Sequence, residues 1–201
     1  MSGPQRVLAA SNFVYTIGSG LCLTAEALYF TEGVRLPAGQ VGLGVGIAGC
    51  ASLALGIAVG HLADRRGVRG VYAATLLVQA LATAGFLLAD SFWPFVLVVC
   101  VAGGAKVGGL AARSPLIRLY GGDRPQEFRA YLRAVTNIGI SFGALLAGWA
   151  VQVGTHTSYQ LLVVGNAVGL AAAVLPLIAL PAVESAAEVV GPRWIALRDR
   201  P

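Results

Sequence analysis

The chain has 201 residues, 57% of them hydrophobic and only 11% charged, with a mean hydropathy of +0.76. A water-soluble domain carries roughly 25% charged residues to cover its surface, so a soluble globule is excluded. The net charge of +5 does not signal nucleic acid either, because the cations sit in gaps between apolar stretches and form no basic stripe with interleaved aromatics.

In chain order the apolar stretches predict six spans, Val7–Thr31, Val41–Leu62, Gly70–Ala89, Phe92–Ala112, Tyr131–Val153 and Ser158–Leu180. Each has about the ~20 residues that cross a ~30 Å hydrocarbon core. The first contains Ser11, Asn12 and Thr16 and no small-residue cleavage site, so it reads as a retained span rather than a leader. Phe92, Trp93 and Phe95 crowd the entrance of the fourth, as interfacial aromatics do. Cys22, Cys50 and Cys100 lie within spans, and His61 and His156 stand apart. That pattern gives neither a disulfide framework nor metal-ligand spacing; no metal and no cofactor is expected.

The connections set the direction. Arg6, Arg65, Arg66, Arg69, Arg113, Arg118, Arg124, Arg129, Arg133, Arg193, Arg198 and Arg200 would share one side, leaving Arg35 on the other. By the positive-inside rule both termini are then cytoplasmic, in a cell (inner or plasma) membrane. Glycine recurs at i, i+4 in Gly42/Gly46, Gly56/Gly60, Gly104/Gly108 and Gly139/Gly143. Such pairs let helix backbones approach closely where lipid supplies no hydrophobic drive.

The segment after the second span reads Gly60-His61-Leu62-Ala63-Asp64-Arg65-Arg66-Gly67-Val68-Arg69. It resembles the signature loop of the major facilitator superfamily, G-x-L-a-D-r-x-G-r/k-r/k, at the expected place, and departs from it only at Val68. Residues 137–148, with Gly139, Gly143 and Gly148, look like a degenerate form of that family's fifth-span antiporter motif, with Ala144 in place of its proline and Ala147 in place of one glycine.

The resemblance implies an all-α polytopic membrane protein: a six-transmembrane-helix bundle of two inverted three-helix repeats, one half of a twelve-helix transporter. Residues 1–182 would form the N-terminal domain and 183–201 a cytoplasmic linker towards a second six-span half, whether in the same polypeptide, a separate chain or a second copy. The final Arg193–Pro201 reads as such a linker rather than a natural finish, so the chain reads as a fragment or a split transporter.

The implied function is secondary transport, exporting small organic molecules by alternating access, with proton-coupled antiport as an option. A non-transporting six-span subunit or scaffold is the alternative. An enzyme is disfavoured by the absence of any nucleophile–base or phosphate-binding pattern. In the resembled family Gly60, Leu62, Asp64, Arg65, Gly67 and Arg69 would form the cytoplasmic gate. Arg113, at the exit of span four, is the in-chain candidate for a contact with Asp64.

Polar residues inside spans are expensive and mark cavities. Asn12, Gln79, Lys106 and Asn137 fall within one layer, suggesting a hydrated wall; alternatively Lys106 snorkels to the interface on its long stem. Glu26 is the one acid well inside a span, either a proton carrier or an outer-interface carboxylate.

The topology is tested with impermeant thiol labelling of intact cells, on a background without the native cysteines. Arg35→Cys should label readily and Arg66→Cys should label only after permeabilisation. The reverse pattern overturns the orientation.

Overall fold

A computed structural model describes residues 3–122 and 124–180, apart from the side chains at 22–28 and 32–33. The chain is all-helical across them: α1 (Gly3–Leu28), α2 (Ala38–Arg66), α3 (Val68–Gly85), α4 (Phe92–Tyr120), α5 (Pro125–Val153), α6 (His156–Ala172) and a short α7 (Val174–Ile178). A π-helical turn, Tyr29–Gly33, extends α1, and a 3₁₀ turn, Phe86–Leu88, extends α3. Among the described residues five stretches are long and apolar enough to cross a membrane: Ala38–Arg66, Val68–Leu88, Phe92–Tyr120, Pro125–Val153 and His156–Ile178. The first helix, α1, is 26 residues long.

The helices outrun the expected spans. The charged connection expected at 63–69 shrinks to a break at Gly67, and that expected at 113–130 shrinks to 121–124. Arginine is a good helix former, so nothing stops α2 or α4 at the edge of the apolar stretch. What stops α2 is Gly67, held at φ +92°, a backbone conformation that side chains disfavour. Pro125 opens α5 at a position where its missing N–H costs nothing. The sixth apolar stretch is broken after Ala172, because Pro176 cannot donate to that carbonyl and its ring crowds it. Thr155 caps α6 by accepting from the backbone N–H of Ser158 at 3.2 Å.

The main packing pairs are α2 with α4 and α1 with α5, followed by α3 with α4 and α1 with α6, then α3 with α6. Exchanging helices 1, 2 and 3 for 4, 5 and 6 maps this set of pairs onto itself. Glycine sets the closest approaches. A Cβ added to Gly143 would lie 2.9 Å from the Cα of Gly20, so α1 and α5 touch backbone to backbone. Gly139 meets Thr16 of α1 in the same interface. Between α2 and α4, Gly108 receives Val59, Gly104 receives Leu55, Gly56 receives Val107 and Gly44 receives the ring of Phe95. Gly42, Gly46 and Gly148 face open space, so the expected 42/46 pair and the last glycine of the fifth-span motif make no contact among the described residues.

Two apolar cores result. One, at the arginine-rich end, centres on Leu8, Tyr72, Leu76, Leu116, Leu132 and Leu170. The other, at the far end, centres on Tyr29, Phe30, Phe86, Phe95, Val99 and Leu162. Phe30 packs on Phe95 at 4.4 Å and on Phe86 at 5.2 Å between ring centroids, in tilted and edge-on geometries that aromatic quadrupoles favour. Phe95 is therefore core rather than interfacial, whereas Trp93 is 74% exposed. Large apolar side chains such as Leu53, Ile57, Leu81, Leu145 and Trp149 point outward from the bundle. That is a liability in water and ordinary in lipid.

The backbone contact between α1 and α5 predicts an asymmetric response to one added methyl. Gly143→Ala should destabilise the protein by about 1–3 kcal/mol, as overpacking does. Gly148→Ala, an exposed helix-interior site with open space, should leave stability in detergent unchanged or raise it by up to about 1 kcal/mol. Equal midpoints for the two variants would disprove the close approach.

Candidate functional site

The two cores do not meet. Between them lies a cavity of ≈ 200 Å³ reached by five helices, with Ser19 from α1, Ser52 from α2, Gln79 and Thr83 from α3, Lys106 from α4 and Asn166 from α6. Each helix turns from one core to the other at this level. On α3 the arginine-end core runs to Ala80 and the far core begins at Phe86; on α4 the far core ends at Val99 and the other begins at Ala112. Ala48, Phe86 and Val99 supply an apolar wall.

The polar side chains divide into two kinds. Ser19 donates to the Tyr15 carbonyl at 3.2 Å and Ser52 to the Ala48 carbonyl at 2.6 Å, each one turn back along its own helix. Their protons are thus engaged, though their oxygens can still accept. Gln79, Thr83, Lys106 and Asn166 make no side-chain hydrogen bond or ion pair among the described residues, although Thr83 and Asn166 are 3% and 4% exposed. Small neighbours make room. Gly18 carries no Cβ where Asn166 Oδ1 lies, and Gly103 none where Ser52 Oγ lies.

Of the four residues expected in one layer, the fold brings together Gln79 and Lys106. Asn12 is 1% exposed inside the α1–α5 interface, where its Nδ2 donates to Thr136 Oγ1 at 2.9 Å and to the Leu132 carbonyl at 3.3 Å. Its Oδ1 is buried without a partner, an arrangement that costs stability. Asn137 is exposed on α5, because the buried stripe of that helix runs through Leu132, Gly139 and Gly143 and Asn137 lies about 200° from Gly139 at 100° per residue. Glu26 lies on α1, but its side chain is outside the described residues.

Ser19, Ser52, Thr83 and Asn166 escaped sequence reasoning. Asn166 had a usable signal, an amide in mid-span between Gly165 and Gly169. The hydroxyls had none, since helical serines and threonines commonly bond back to their own helix.

The signature segment is placed but does not form the expected ion pair. Asp64 is exposed, and among the described residues it pairs with no arginine; the ion pair found there is Arg124–Glu127 at 3.2 Å, at an exposed helix start. Helical phase explains this. Ala63 and Ala112 fill the α2–α4 interface, and Asp64 and Arg113, one residue further on, turn away from it. Arg113 instead lines a cleft between α4 and α5 with Arg129 and Arg133. Arg69 donates from Nη2 to the Ile178 carbonyl at 2.8 Å, capping the end of α7. Gly60 packs near Ala111, Leu62 is exposed, Gly67 forms the break, and Arg65 has a partner of its own.

Comparison with known proteins adds to this geometry. The sequence profile described as Major Facilitator Superfamily matches residues 8–199. A "Multidrug resistance protein MdtH" of Yersinia enterocolitica is 27% identical over 156 residues, covering 74% of this chain and 37% of the relative. Its namesake in Aeromonas hydrophila is 27% identical over 151 residues, covering 72% and 37%, and one in Yersinia pestis is 27% identical over 156 residues, covering 74% and 37%. The chain spans 37% of the length of these relatives. No solved structure gives a significant match.

The cavity predicts selective chemical access. In a background lacking native cysteines, Gln79→Cys should react with a small water-soluble thiol reagent. Ser11→Cys, buried with its hydroxyl on the Ala173 carbonyl, should be protected until unfolding. Equal reaction rates would mean that no wet cavity exists at this level.

Proposed function

The chain belongs to the major facilitator superfamily, whose members are membrane transporters and not enzymes, and on that premise we propose that it is the N-terminal half of a secondary transporter that exports small organic molecules by alternating access. The observation that carries this reading is the cavity between the two cores, with four polar side chains that have no partner among the described residues. Unpaired polar groups inside a membrane are costly, so they are retained where water or a substrate supplies the missing partner.

Several features support the finer architecture. The helix pairing is self-mapping under exchange of the first three spans for the last three, as two inverted repeats would give. A six-span bundle, 1–182, then needs α1 as the remaining span, with 183–201 leading towards a second half; residues 181–201 lie outside the described residues. Of the five apolar stretches, those on α2 and α5 are the least covered by the rest of the bundle, and these faces would meet that second half. Arginine asymmetry favours an orientation with both termini in the cytoplasm of a cell whose membrane the protein spans. Export of drug-like molecules is favoured by the name of the MdtH relatives. The gate residues Gly60 to Arg69, with Arg113, would work against the second half rather than on each other.

Efflux from a drug-sensitive bacterial strain tests this. The chain alone is compared with the chain extended by any sequence that follows it; the extended form should lower accumulation of a transported dye, while a non-transporting subunit or scaffold would leave it unchanged in both forms. If Glu26 carries the coupling proton, Glu26→Gln should abolish uphill export, by about tenfold or more, while leaving membrane expression intact. Retained pH-dependent export would assign Glu26 to the interface.

A further inference from the structure

The cavity has a charge character that export as such does not require. Its lining offers one ammonium, Lys106, two carboxamides, Gln79 and Asn166, and the hydroxyl of Thr83, all without partners among the described residues. Among the described residues no carboxylate lines it. The acids whose side chains are described, Asp64, Asp90 and Glu127, are exposed and lie at helix ends or in connections. Glu26 is seven residues beyond Ser19 on α1, about 10 Å along the axis at 1.5 Å per residue. The imbalance is therefore one of charge, a single ammonium with no carboxylate facing it among the described residues.

We propose that this pocket takes the anionic end of its ligand: a carboxylate, or a comparable oxyanion, on a small apolar or aromatic body. The proposal rests on the transport reading and names the substrate class of the same site. One carboxylate oxygen would accept from Lys106 at the exposed rim, and the other from the amide groups of Asn166 or Gln79. Charge-assisted bonds of this kind are shorter and stronger than neutral ones. The body would lie against Ala48, Phe86 and Val99. Asn166 is 4% exposed, and that burial restricts its side chain and lowers the ordering cost left to the binding step. A permanent cation would meet Lys106 as a like charge and leave the donors unanswered, which is how a site rejects a wrong ligand.

The test uses three aromatic probes of nearly one shape and different charge: benzoate, benzamide and benzamidinium. Equilibrium binding of each to the full chain in lipid nanodiscs is measured, so the result is independent of any flux. Benzoate should bind tightest of the three at millimolar concentration. Lys106→Gln should weaken benzoate by about tenfold, the loss of one charge-assisted bond, and leave benzamide within about twofold. Lys106→Arg should keep the preference, separating charge from any disturbance of folding. Benzamidinium binding as tightly as benzoate, no benzoate binding by the wild type, or unchanged benzoate affinity in Lys106→Gln would each overturn the proposal. Charge-selective binding without export by the longer chain would remove the transport reading and leave the anion site standing.

Discussion

In lipid, apolar side chains gain nothing by leaving their surroundings for one another, so helices are held by close packing and by hydrogen bonds between them. Here that requirement is met at glycine. Gly20 and Gly143 bring the backbones of α1 and α5 into contact, and Gly56, Gly104 and Gly108 admit Val107, Leu55 and Val59 between α2 and α4. A side chain at these places would collide with backbone, with Leu55, or with Val59 and Val107, whose β-branched side chains have little freedom to move. Two tight pairs, α1 with α5 and α2 with α4, are the consequence, and α3 and α6 lie against them. The same α1–α5 interface encloses the Oδ1 of Asn12, which is buried without a hydrogen-bond partner.

The bundle is filled by apolar cores at both ends and not in the middle. Aromatic packing of Phe30, Phe86 and Phe95 fills the far end, and leucines fill the arginine-rich end. Between them the facing residues are Ser19, Ser52, Thr83, Gly103 and Asn166, too small or too polar to complete a dry core. The cavity is thus a result of sequence at one level on five helices. A membrane protein that served only as a scaffold would gain stability by filling it, because each void forfeits packing energy.

Much of this was legible in the sequence. Composition required a membrane, apolar runs located the helices, and the segment from Gly60 to Arg69 carried the family. What was not legible was phase. Gln79 and Lys106 reach the cavity, but Asn137, at a comparable expected depth, faces outward because α5 turns its stripe through Gly139 and Gly143 towards α1. Asp64 and Arg113 share an end of the bundle, yet each lies one residue past the interface it was expected to cross. Gly42 and Gly46 have the spacing of a packing pair and open space in front of them. Spacing along one helix says which residues share a face; which neighbour that face meets depends on residues on another helix.

The pairing of α1 with α5 is one of the two tight contacts on which the helix exchange rests. Cysteines at Ala10 and Val135, which line one groove between these helices, probe it in native membranes with a short lipid-soluble thiol cross-linker. The Ala10→Cys/Val135→Cys pair should cross-link within the chain, while Ala10→Cys/Leu53→Cys, with Leu53 exposed on α2, should not. Cross-linking of the second pair and not the first would contradict the arrangement.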